Sequence, residues 1–147
     1  MVDTGFAPFT ATVDKTNHVL REIEDAFGWP KERRHESYAA LRAVLHTLRD
    51  RLTVDEAAHV AAQLPVLIRG IYYEGWDPSR APQKMNAEQF LHRVQREFRH
   101  NVDVTTQELV RAVIAALRHH LTAGQWHDVT SSLPDALVSV LTPASTK

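Results

Sequence analysis

Displaced by 69 residues, the chain matches itself: residues 41–72 superpose on 110–141 without a gap, and ten of the 32 positions are identical. The identities are Arg42, Ala43, Val44, Leu48, Arg49, Leu52, Thr53, Val60, Leu64 and Pro65, repeated as Arg111, Ala112, Val113, Leu117, Arg118, Leu121, Thr122, Val129, Leu133 and Pro134. A shared amphipathic period would reproduce only the apolar positions, so the matching arginines, threonines and prolines point to a duplicated unit. A three-helix unit of this size hides its apolar face best against a second copy. The expected fold is therefore all-α, a pseudo-twofold six-helix bundle of two tandem three-helix repeats.

The first repeat spans about residues 13–76, a loop covers 77–85, and the second repeat spans about 86–142, all within one domain of 147 residues. Residues 1–12, with Gly5, Pro8, Phe6 and Phe9 at no helical spacing, read as an extended arm. Val19, Leu20, Ile23, Ala26 and Phe27 then follow the spacing of a one-sided helix, which Gly28-Trp29-Pro30 ends. With two residues removed from the loop after it, this helix corresponds to Phe90, Leu91, Val94 and Phe98 of the second repeat.

The second helix runs from about Arg33 to Arg51, with Tyr38, Leu41, Val44, Leu45, Leu48 and Leu52 on its buried face and Arg42, Arg49 and Arg51 mainly on others. Thr53 with Glu56, Asn86 with Gln89 and Thr105 with Glu108 have the spacing of helix N-terminal caps. Further helices start at each, and another at Thr122. Pro65 and Pro134 fall inside helical patterns, where a missing N–H and a ring clash kink or break the helix. Only kinks keep the count at six. Pro143 and a polar tail close the pattern.

Composition narrows the chemistry. With no cysteine, disulfides and thiolate catalysis are excluded. Lys+Arg 17 against Asp+Glu 18 leaves no global field to draw in nucleic acid or an anionic membrane. The apolar runs are far short of the roughly 20 residues that span a bilayer, and residues 1–6 lack the start of a signal peptide. A cytoplasmic protein with no membrane partner is expected. No nucleophile elbow, phosphate-cradling loop or i, i+4 histidine pair can be written, so we expect a non-enzymatic interaction or regulatory module with no cofactor.

The segments Leu52-Thr53-Val54-Asp55-Glu56-Ala57, Ala62-Gln63-Leu64-Pro65 and Arg69-Gly70-Ile71-Tyr72-Tyr73-Glu74-Gly75-Trp76, with Pro78 beyond, are specific motifs. They resemble the bacterial and archaeal family known as domain of unknown function 2267. The resemblance covers nearly the whole chain. It implies a small all-helical protein and brings no activity, cofactor or catalytic residue.

The repeat also isolates what a symmetric core does not require. Arg69, Gly70, Tyr72 and Tyr73 correspond to Val138, Ser139, Leu141 and Thr142. Arg69, Tyr72, Tyr73 and Trp76 are therefore the candidate binding residues, for a protein partner or a second copy, because exposed Tyr, Trp and Arg give contact area at low entropic cost. The alternative is that the aromatics roof the bundle and Arg69 pairs with an acid. A basic stretch, Lys31-Glu32-Arg33-Arg34-His35, and a basic helix face of His92, Arg93, Arg96, Arg99 and His100 give nucleic-acid binding the second rank. A small-ligand or metal site using His120, His127 and Asp128 ranks third, and no metal is assigned. Arg42 with Arg111 and Arg49 with Arg118 are read as partners of carboxylates or helix C-termini, with a paired anion site near the pseudo-axis as the alternative.

Overall fold

The computed structural model describes residues 5–141, which form eight α-helices, two 3₁₀ turns and no strand. The helices are α1 (Ala7–Phe27), α2 (Arg34–Arg51), α3 (Val54–Ala61), α4 (Val66–Tyr73), α5 (Ala87–Glu97), α6 (Thr106–Arg118), α7 (Ala123–Ser131) and α8 (Asp135–Leu141). The expected tail from Thr142 and the first four residues lie outside the described residues.

The count of eight corrects the expected six, because both prolines split their helices rather than kink them. Pro65 adopts an extended ψ of 153° and becomes the N-cap of α4, where a missing N–H removes no helical bond. The same corner recurs at Pro134. Gln63 and Leu64 donate to the carbonyls of Val60 and Ala61, and Ser132 and Leu133 donate likewise to Val129 and Thr130.

The extended arm is also corrected. Residues from Ala7 onward belong to α1, and Pro8 stands in its first turn, a position that suits its fixed φ. Here proline starts a helix. At the other end Gly28, with φ of 68°, closes α1, and Trp29 N–H reaches back to the Glu24 carbonyl at 2.9 Å. The capping boxes expected at Thr53–Glu56, Asn86–Gln89 and Thr105–Glu108 all form, and a fourth forms at Thr122–Gln125.

The apolar side chains make one connected core, with Ile23, Leu41, Tyr72, Phe90 and Leu137 among its fully buried members. Burying each large side chain contributes on the order of 1.5–3 kcal/mol. Helix α1 packs against α2, α4 and α6; helix α5 packs against α6, α8 and α2; α2 packs on α6 and α3 touches α7. Two assignments on α2 change in this setting. Ser37 takes the inward position and donates to Glu24 at 2.6 Å, leaving Tyr38 exposed at the rim. Arg49, expected on another face, is only 5% exposed.

Candidate functional site

Of the four candidate binding residues, the fold spends two on itself. Arg69 extends from α4 to the end of α3, where its Nε donates to the Ala61 carbonyl and its Nη2 to the Leu64 carbonyl, both at 2.9 Å. These carbonyls lie past the last full helical turn and lack α-helical donors, so a guanidinium there caps the helix and opposes its negative end. The alternative expected for Arg69, pairing with an acid, is replaced by this backbone cap. Tyr72 is fully buried and its hydroxyl donates to the Ala57 carbonyl at 2.9 Å. Burial pushes its phenol pKa well above the ordinary value of 10, so the group stays a neutral donor.

Tyr73 and Trp76 remain half-exposed. Glu74 has φ −58° and ψ 121° and Gly75 has φ 78°, while Trp76 N–H donates to the Tyr73 carbonyl at 3.0 Å. That is a type II turn, which needs glycine at its third position. The turn folds the indole back on the Tyr73 ring, with centroids 5.4 Å apart, and Tyr72 meets Tyr73 at 5.3 Å. The three aromatics form a continuous stack from the core to the surface.

The segment is held from behind by α2. Arg49 Nη1 donates to the carbonyls of Tyr72 at 3.1 Å and Glu74 at 2.8 Å, and its Nε donates to Asp50 at 2.9 Å. His46 Nε2 lies 2.7 Å from the Ile71 carbonyl, an acceptor only, so that nitrogen carries the proton. Burial, the largest influence, pushes the His46 pKa below its ordinary 6.5; the Ile71 bond and Asp50 oppose that shift, while Arg49 and Arg42 reinforce it.

The last turn of α2 also fixes the connection onward to α5. The Asp50 carbonyl accepts Gln83 N–H at 2.7 Å, and Arg51 Nε donates to the Met85 carbonyl at 2.9 Å. Three consecutive residues thus clasp residues 74–86 at Glu74, Gln83 and Met85. Sequence reasoning assigned Arg49 a carboxylate or helix C-terminus, and it has both; it missed His46 and this clasp, whose only signal is the run of three charged residues that ends α2.

Beside the aromatic stack lies an open shelf of about 470 Å³ lined by Tyr38, Leu67, Gly70, Ile71, Tyr73 and Glu74. Tyr38 and Leu67 are 38% and 39% exposed. Tyr38 also borders a second depression that includes His35, Arg42, Glu97 and His100. The Arg42–Glu74 ion pair, 3.5 Å and exposed, reaches from one depression to the other.

The basic face expected on one helix is divided and partly consumed. Helix α5 ends at Glu97 with Phe98 extended, so Arg99 and His100 lie beyond it. Arg93 donates to Asp50 at 2.7 Å, to Gln83 at 3.2 Å and to Glu97 at 3.3 Å, which leaves His92 and Arg96 on the helix. In the basic stretch, Arg33 binds Glu36 and stacks over Trp29, and Arg34 binds Glu24. His120 faces Glu22 at 3.4 Å and the His18 ring, while His127 is exposed on α7. Among the described residues no group of three or more His, Asp or Glu side chains is arranged to hold a metal ion. Among them, too, no helix is long and apolar enough to cross a membrane.

Two comparisons complete the description. The family model described as "Uncharacterized conserved protein (DUF2267)" matches residues 16–140. No curated protein matches the chain.

Proposed function

We propose, starting from the fact that the chain belongs to the DUF2267 family of uncharacterized conserved proteins, that it acts as a non-enzymatic interaction or regulatory module in the cytoplasm, docking a protein partner on the shelf beside Tyr73. The observation that carries the reading is the exposure of Tyr38 and Leu67, which line that shelf together with the half-exposed Tyr73. Exposed aromatic and aliphatic side chains on a rigid backing are what a partner's apolar side chains pack against. The backing is rigid because Arg49 and His46 pin the carbonyls of α4 from behind. The polar groups with shifted pKa values in this region hold backbone in place and do not converge on a cavity, which favours docking over catalysis.

The scaffold under this surface is, in the same reading, a single domain of two repeats related by a pseudo-twofold axis. Its support is the way polar pairs recur across the halves. Asp50 on α2 meets Arg93 on α5 at 2.7 Å, and His119, the C-cap of α6, meets Glu22 on α1 at 2.7 Å. Asp50 and His119 are the same repeat position, as are Glu22 and Arg93, so the carboxylate changes sides but the contact is the same. Each first helix packs on the second helix of the other repeat.

Leu67→Glu tests the docking surface, since an exposed side chain can change charge without unfolding the chain. Sedimentation of the purified protein and site-specific photo-crosslinking from position 67 should show a second copy or a protein adduct that the variant loses at unchanged Tm. A chain that stays monomeric and gives no adduct at position 67 in its own lysate rules the reading out. The basic residues on α5 and just beyond its end keep nucleic acid as the second reading; retention on heparin that falls steeply with salt and is lost on replacing Arg96 and Arg99 would favour it.

A further inference from the structure

Away from the shelf, a polar groove of about 300 Å³ runs between one face of α1 and the start of α2. Asn17, His18 and Arg21 of α1 line it together with Lys31 and Arg34, and one carboxylate, Asp14, is also part of the lining. We propose that this groove is an anion site that takes the phosphate group of a small phosphorylated ligand.

The donors in the groove differ in how they are held. Arg34 is preorganised: its Nε and Nη2 each donate to a different oxygen of Glu24 at 3.0 Å, and Glu24 is only 3% exposed and also accepts Ser37. Burial pulls the Glu24 pKa up, but the bonds from Arg34 and Ser37 outweigh it and keep the carboxylate charged. Arg34 Nη1 donates to Asn17 Oδ1 at 3.4 Å, which turns the amide N–H groups of Asn17 away as free donors. Lys31 on one wall and Arg21 on the other make no side-chain hydrogen bond to the described residues, and Arg21 acts on the Glu24 carboxylate only through its charge.

A carboxylate ligand would be satisfied by one guanidinium. A phosphate, with three terminal oxygens, gains from donors on both walls at once. The scaffold does not demand these residues either. In the second half the positions of Asn17, His18 and Arg21 are held by Glu88, Gln89 and His92, so the basic groove belongs to the first half alone.

The test is titration of the full chain with pyrophosphate, read by amide-resolved NMR and calorimetry against sodium chloride at matched ionic strength. Shifts should concentrate at Asn17, Arg21 and Lys31. Lys31→Glu and Arg21→Glu should each weaken binding at least tenfold at unchanged Tm, whereas Arg99→Glu, on the exposed end of the other basic face, should leave it unchanged. Shifts spread over the whole surface, an equal loss in Arg99→Glu, or binding confined to duplex oligonucleotides or to anionic phospholipid vesicles would overturn the proposal.

Discussion

Asp50 receives the Arg93 guanidinium at 2.7 Å where α2 meets α5, and its other carboxylate oxygen receives Arg49 at 2.9 Å. One buried carboxylate thus offsets two cations and, through its backbone carbonyl, holds Gln83. Replacing it by Asn removes the charge and leaves the buried Arg49 guanidinium without an acid and Arg93 with Glu97 alone, a change expected to cost roughly 3 kcal/mol. The counterpart pair is solvated, with His119 67% and Glu22 35% exposed, so Glu22→Gln should cost less than about 1 kcal/mol. Urea unfolding of the two variants measures the difference, and equal costs would contradict the burial argument.

The hydroxyl of Tyr72 is the buried tie between α4 and α3. Tyr72→Phe keeps the ring and leaves the Ala57 carbonyl without that donor, for a loss of about 1–2 kcal/mol. Tyr73→Phe, at a half-exposed ring, should change stability by no more than about 0.5 kcal/mol. Thermal melts of both proteins decide this.

Arg69→Met keeps much of the stem and removes the cap on α3. Two carbonyls lose their guanidinium partner, and destabilisation by about 1–3 kcal/mol is expected. Because the residue acts through α3, hydrogen exchange should rise first at residues 57–64. Loss of partner binding with unchanged exchange would instead make Arg69 a contact residue.

His46 gives stability a pH dependence of definite sign. Its folded pKa is below 6.5, so between the two values the unfolded chain binds more protons and stability rises with pH. The contribution is complete above about 6.5 and is lost as the pH falls from there toward the folded value. In His46→Gln the acid limb of a stability-versus-pH curve should flatten between pH 5 and 7. A limb of the same slope would assign the effect to the other histidines. Glu24 acts lower in the range: its folded pKa is below 4.5, so its contribution is present above that value and is lost as the pH falls through the lowered one.

Phe6 and Phe9 show where pattern reading fails. Their spacing lacks a buried stripe because they are 55% and 59% exposed, yet Ala7 to Thr10 are helical all the same. Periodicity reports burial, and a helix end projecting past its neighbours has none to report. Tyr38 fails for the opposite reason. It fits the apolar stripe of α2, but the inward place beside it belongs to Ser37, which Glu24 requires for a hydrogen bond.

The sequence alone determined the helical class, the three cap sites it could spell out in threonine, asparagine and their third-following partners, the helix start at Thr122, and the positions of both proline corners. These are local: each depends on backbone groups within four residues, and the residue types that satisfy them are few. The tertiary structure decided the fate of the segment from Arg69 to Trp76. Whether Arg69 and Tyr72 face a partner or a carbonyl depends on where α3 ends relative to α4, and on Arg49 and His46 arriving from α2, 20 or more residues earlier in the chain. Those distances are set by packing, which residue type and spacing do not encode.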